Sequence, residues 1–146
     1  NLSNNSLKLI KKIKKISHYC WIDENKILYT SLKSKNLCNY KIFNFKKNKE
    51  KNIYFGISQD GHPMANPVDK NLILTDTYPN KFGYQKLLVV DLKKNKIIWE
   101  TDLKYSTNFL LDKRCDLHPK WSEDGKKIVV DYAIKKRRII RVYDYL

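Results

Sequence analysis

Short apolar runs separated by polar turns recur along the chain, and three stretches can be laid over one another: His18–Thr30, His62–Asp76 and His118–Asp131. Each opens with a short apolar or aromatic piece, passes through a turn rich in Asp, Asn, Gly or Pro, and ends in a β-branched run. That composition predicts a β-hairpin. The Ser122–Gly125 turn is the clearest of the three, because glycine accepts the positive φ that closes a short loop. A further strand follows each hairpin, at Tyr40–Asn44, Lys86–Asp91 and Ile139–Asp144. Two of these lead into matching turns, Phe45-Lys-Lys-Asn-Lys49 and Leu92-Lys-Lys-Asn-Lys96. Fourth strands are expected at Lys51–Tyr54 and Lys96–Leu103.

The pattern therefore repeats as units of about four antiparallel strands, with the leading histidines 44 and 56 residues apart. Four-stranded units at roughly this period describe the blades of a β-propeller. The expected fold is all-β: a partial β-propeller of about three blades in an open arc, the last lacking a strand. Three units fall short of the roughly four to eight that close a ring. The expected division of the single domain 1–146 is an outer strand of a preceding blade (1–17), blades at 18–61 and 62–117, and an incomplete last blade at 118–146. An ordinary sandwich is the alternative. Leu7–Ile16 reads either as that outer strand, its lysines guarding an edge, or as an amphipathic basic helix. Trp21 and Trp121 share one inner-strand column and are expected between blades.

Composition narrows the picture. The chain of 146 residues is 42% hydrophobic, which fits a folded domain, and has no run long enough to span a membrane. Its formal net charge is +15. Twenty-six of the 30 basic residues are Lys, spread throughout, and only Arg114, Arg137, Arg138 and Arg141 are Arg. With Asn, Ile and Tyr also abundant, an AT-rich coding bias accounts for much of this basicity. A nucleic-acid site would gather arginines and aromatics on one face, so nucleic acid is the weakest of the partner classes. Cys20, Cys38 and Cys115 are odd in number and widely spaced. They suggest neither a disulfide framework nor a zinc site, and favour a reducing, cytoplasmic setting.

All three histidines, His18, His62 and His118, occupy the same repeat position. Equivalent positions in successive blades lie on a ring around the propeller axis, so the three imidazoles are expected to converge near one mouth. Neutral imidazole is a common metal ligand. Asp60-Gly-His62-Pro and Asp116-Leu-His118-Pro each put a carboxylate two residues before the histidine, able to orient the ring or to ligate. Loop capping by these same histidines is the structural alternative. Gln59 is a candidate ligand or substrate contact. Arg114 could grip a carboxylate, and Tyr78 could stack on a sugar ring.

The stretch Asp116–Val129, Asp-x-His-Pro-x-Trp-Ser-x-Asp-Gly-Lys-Lys-Ile-Val, resembles the TolB-like propeller repeat. Its leading histidine is similar to that of oligogalacturonate-lyase-type seven-bladed propellers. His18-Tyr-Cys-Trp21, Asp60-Gly-His62-Pro63 and Thr75-Asp-Thr-Tyr-Pro79 add to the likeness. The resemblance implies a divalent metal, manganese in that family, held by histidines and a glutamine near the axis. His62 and His118 match best as ligands, His18 less well, with Gln59 as the glutamine. It further implies an acidic oligosaccharide or polysaccharide as partner, whose uronate carboxylate the metal neutralises during a lyase reaction. Two departures stand out: no second histidine lies close to His118, and no general base is visible. The competing reading is a non-catalytic scaffold for protein–protein interaction, and an open arc would pair with remaining blades or with another copy.

Overall fold

The computed structural model describes residue 9 and residues 15–34, 37–106, 108–109 and 113–146. The expected outer strand or helix at Leu7–Ile16 lies almost wholly outside the described residues. The protein is all-β, built of three antiparallel sheets in chain order. The first contains β1 (Ile16–Asp23), β2 (Lys26–Ser34), β3 (Leu37–Asn44) and β4 (Lys49–Ile53). The second contains β5 (Met64–Ala65), β6 (Leu72–Asp76), β7 (Tyr84–Asp91) and β8 (Lys96–Lys104). The third contains β9 (Lys120–Trp121), β10 (Lys127–Ile134) and β11 (Arg137–Asp144), one strand fewer. The sheets do not close on themselves, so the architecture is the open arc of a partial propeller. The first strands of neighbouring sheets, β1 with β5 and β5 with β9, lie side by side and form the inner lining. β1 begins at Ile16, two residues ahead of the first histidine.

Local chemistry makes these turns. Asn48 and Asn95 hold the left-handed conformation in the two matching turns, at φ 49° and 52°. Asparagine tolerates that region better than most side chains. The residue opening each turn fixes it: Asn44 Oδ1 accepts from the Lys47 amide at 2.8 Å, and Asp91 Oδ1 from Lys93 and Lys94 at 2.8 and 3.0 Å. Gly125 has φ 69° in the Ser122 turn, and its carbonyl accepts from Asn66 Nδ2 at 3.0 Å, tying the third sheet to the second.

Strand alternation sends side chains to the two faces of each sheet, so every internal interface draws one residue in two from each partner. Between the first and second sheets lie Leu28, Cys38, Tyr40, Ile53, Phe55, Ile73 and Val90. Between the second and third lie Leu74, Leu87, Val89, Leu117, Trp121, Ile128 and Val130. The three sheets keep one register. Trp21 pairs with Ile27, Ala65 with Ile73 and Trp121 with Ile128.

That register corrects one expectation. Trp121 is 5% exposed between sheets, whereas Trp21 is 57% exposed and stacks on Phe45 at 5.3 Å between ring centroids. The shared column faces the preceding sheet, and the first sheet has none before it among the described residues. The three cysteines are free thiols, two of them buried. Burial pushes Cys20 up to about 11 and Cys38 up to about 12, so both stay protonated. No helix among the described residues is long and apolar enough to cross a membrane.

Candidate metal centre

Each histidine lies near the start of its sheet's inner strand, within β1 for His18 and two residues ahead of β5 and β9 for His62 and His118, and equal register brings the three rings together. His62 lies between the other two, its centroid 4.3 Å from that of His18 and 4.4 Å from that of His118. The last residue of each aligned hairpin anchors its histidine. The His62 amide donates to Asp76 Oδ1 at 2.7 Å, and its ring Nδ1 lies 3.0 Å from both Asp76 oxygens. The His18 amide donates to Thr30 Oγ1 at 3.0 Å, and His118 Nδ1 is 3.4 Å from Asp131. With Nδ1 of His62 donating to Asp76, Nε2 keeps its lone pair for the mouth.

The backbone is built for this contact. A Cβ on Gly61 would come 2.0 Å from the Asp76 carbonyl oxygen, so only glycine lets the Asp60–His62 segment lie against that strand. His118 has φ 41°, a left-handed conformation that histidine seldom adopts and that costs about 1–3 kcal/mol.

The carboxylates two residues before the histidines serve the preceding blade. Asp60 is 3.3 Å from the ring of His18. Asp116 joins His62 and His118 in one group whose ligand atoms all lie within 4.8 Å of one another. The loop that carries each Asp-x-His crosses from the outer strand of one sheet to the inner strand of the next. Its leading residue therefore lies beside the earlier histidine. Asp76 and Asp131, which do orient the histidines, were not among the expected site residues. The signal was present, since both are the final residues of the aligned hairpins.

Arg114 holds Asp116 with two contacts, Nε to Oδ1 at 2.6 Å and a second guanidinium nitrogen to Oδ2 at 2.7 Å. Its guanidinium sits 4.6 Å from the centroid of the Tyr78 ring, which meets His62 edge-on at 5.8 Å. Arg114 and Tyr78 thus reach the site by positioning Asp116 and packing His62. A depression of about 280 Å³ opens beside them, lined in part by Asp116, His118, Asp131, Arg138 and Ile140. Gln59 is exposed in its loop. His18 lies outside the three-residue group, its Nδ1 engaged by Ser17 at 3.0 Å and by Asp60.

Charge follows geometry. Burial alone would lower the pKa of His62, but the hydrogen bond to Asp76 and the charges of Asp76, Asp116 and Asp60 raise it above the usual histidine value. Burial would likewise raise Asp60, yet hydrogen bonds from His18, Ser17 and Thr30, with the charge of His18, hold it down at about 2. Burial lifts the Tyr78 hydroxyl, helped by Asp60 and Asp116. Asp60, Asp76 and Asp116 thus gather at the mouth, with Arg114 paired to Asp116 and Arg138 lining the adjacent depression.

No protein-family model matches the chain, and no curated protein matches it. Among solved structures, oligogalacturonate lyase in complex with manganese is similar over 97% of this chain, with a TM-score of 0.69 and 13% identity. An uncharacterized protein from Listeria monocytogenes is similar over 92% of the chain, with a TM-score of 0.66 and 16% identity. This chain covers 39% of the length of either. The likeness shows the propeller-like fold.

Proposed function

We propose that this mouth is a divalent-cation site formed by His62, Asp116 and His118, and that the protein is a carbohydrate-related propeller that takes the carboxylate of an acidic oligosaccharide there. The observation that carries the reading is the convergence of two imidazoles and a carboxylate within 4.8 Å. Two nitrogens and one oxygen suit a manganese-like ion of intermediate hardness. Asp76 supports it by fixing the His62 ring so that Nε2 is the free donor. The oligogalacturonate-lyase-type resemblance, and the manganese of that structural neighbour, favour an oligouronide over a neutral glycan.

A cation here would offset the charge of a uronate and acidify the carbon beside it. The chain's own residues bind and orient. Arg114 holds Asp116 through two contacts, and Tyr78 walls the site beside His62. A lyase-like elimination also needs a base. The cytoplasmic setting and the single-domain division at 18–61, 62–117 and 118–146 belong to the same proposal.

Titration of the protein with Mn²⁺ tests the reading. His62→Ala and His118→Ala are each expected to weaken binding by at least ~10–100-fold, and oligogalacturonate binding should then require the ion. Unchanged Mn²⁺ affinity in both variants would sink it. It would also favour the scaffold alternative, in which the histidines only cap loops.

A further inference from the structure

Strand β1 starts beside the histidine mouth and ends at Asp23 on the opposite side, where a groove lies between the first and second sheets. The groove has a volume of about 470 Å³. Its floor is apolar: Ile22 and Ile53 are buried in the core between the two sheets, and Ile42 and Leu92 pack against that core half-buried. Its walls carry Lys26, Lys47, Lys49 and Lys51 from the first sheet and Lys70 and Lys93 from the second. The matching Phe45–Lys49 and Leu92–Lys96 turns supply three of these lysines, so the repeated turn brings cationic side chains to the same side of both sheets. Six lysines line the groove against two carboxylates, Asp23 and Glu50. Both carboxylates are taken, Asp23 by Lys26 at 2.6 Å and Glu50 by Lys41 at 2.9 Å and by the Tyr29 hydroxyl. Lys93 acts on Asp69, whose carboxyl is held low by hydrogen bonds from Asn71 and by the charge of Lys93. Among the described residues Lys47, Lys49, Lys51 and Lys70 enter no ion pair.

We propose that this groove binds an acidic peptide segment of a partner protein, its carboxylates on the lysines and an aliphatic side chain on the isoleucine and leucine floor. The inference is independent of the cation reading, since the two sites share no residue. It rests on two sheets that already face one another across the Leu28, Tyr40 and Val90 core. Charge complementarity calls for an anion, and the kind of cation narrows which one. A lysine ammonium is a point charge that meets a single carboxylate from many directions. No arginine lines the groove, so the planar fork that grips phosphate through two parallel bonds is missing from it. No aromatic ring lines it either, so neither a nucleobase nor a sugar ring finds a stacking platform there. The floor adds the last constraint. A purely ionic polymer would leave those side chains in water, whereas a peptide that alternates acidic and aliphatic residues covers them. The volume falls within the roughly 300–1,000 Å³ of sites that enclose a small ligand, enough for a short anchor segment.

Fluorescence anisotropy of the full chain with a labelled peptide of aspartate and glutamate interrupted by leucines tests this, with far-UV circular dichroism to confirm that each variant folds. Saturable binding with a Kd at or below about 100 µM is expected at physiological salt. Lys51→Glu on one wall and Lys70→Glu on the other should each weaken it by at least about tenfold. Lys136→Glu makes the same change of charge in the turn between β10 and β11 of the third sheet and should alter affinity by less than about twofold. Replacing the leucines of the peptide by serine, or Leu92→Ala in the protein, should each weaken binding by at least about threefold. An equal loss in Lys136→Glu would overturn the proposal, because the formal charge of +15 and not the groove would then attract the peptide. Equal affinity for the serine peptide, or no saturation by about 1 mM, would overturn it as well. Tighter binding of single-stranded DNA or of oligogalacturonate, lost in the Lys51 and Lys70 variants, would give the groove to that polymer and overturn the peptide reading.

Discussion

His62 and His118 stand at the same repeat position, each two residues after an aspartate and just before a proline, yet they live in different surroundings. The His62 side chain is 16% exposed, flanked by two rings and gripped by a nearly buried Asp76. The His118 side chain is 52% exposed, its Asp131 is 58% exposed, and its backbone is left-handed. The motif is the same; what differs is whether another sheet follows among the described residues. A third sheet covers the second and excludes water from the His62–Asp76 pair, whereas none of the described residues covers the outer side of the third sheet. Repetition in sequence therefore supplies the residue, and position in the arc supplies its burial and hydrogen bonding.

The comparison breaks most visibly at the tryptophans. Trp121→Ala should cost about 3–5 kcal/mol, because it empties an internal interface, while Trp21→Ala should stay within about 1 kcal/mol for the monomer. Chemical denaturation of both variants at low protein concentration measures the gap. Gly61→Ala comes next. With the Asp76 carbonyl in the way, the strand must shift, and a loss of at least about 2 kcal/mol is expected, together with loss of Mn²⁺ binding.

A smaller effect sharpens the contrast between the orienting carboxylates. Asp76→Asn should weaken Mn²⁺ affinity by ~10–100-fold, whereas Asp131→Asn, on an exposed partner, should change it by less than about threefold. Calorimetric titration of the pair decides it. The smallest effect is in acid. The folded pKa of Asp60 is depressed to about 2 from the ordinary aspartate value of 3.8. The stability it contributes is therefore complete above the unfolded value and lost as pH falls from about 4 to 2. After allowance for solvent screening this is about 1 kcal/mol, and Asp60→Asn should flatten that part of the stability–pH curve.

Much of the fold was legible because propeller strands are short, local and antiparallel. The Phe45–Lys49 and Leu92–Lys96 turns differ from one another only at their first residue, and both place an asparagine in the left-handed region. The hairpin starting at His118 carries its own glycine turn. The site was legible only in part. The histidine column could be read because register preserves it. The partners of those histidines could not, because which carboxylate meets which ring depends on a loop crossing between sheets. Asp60 serves His18, not the histidine two residues after it. Arg114 could be read as gripping a carboxylate, either a ligand's or that of nearby Asp116, and the structure shows it on Asp116.

The amino-acid order alone determined the strand pattern, the turns, the three-fold repetition and the coincidence of the histidines, since all of these follow from local backbone preference and the two-residue alternation of a strand. Tertiary structure decided the rest. It buried Trp121 while leaving Trp21 in water, and it drew Asp116 from one loop into the company of His62 from another. Those outcomes depend on which sheet lies against which. Contact of that kind is set by packing between units distant in the chain, which no local pattern encodes.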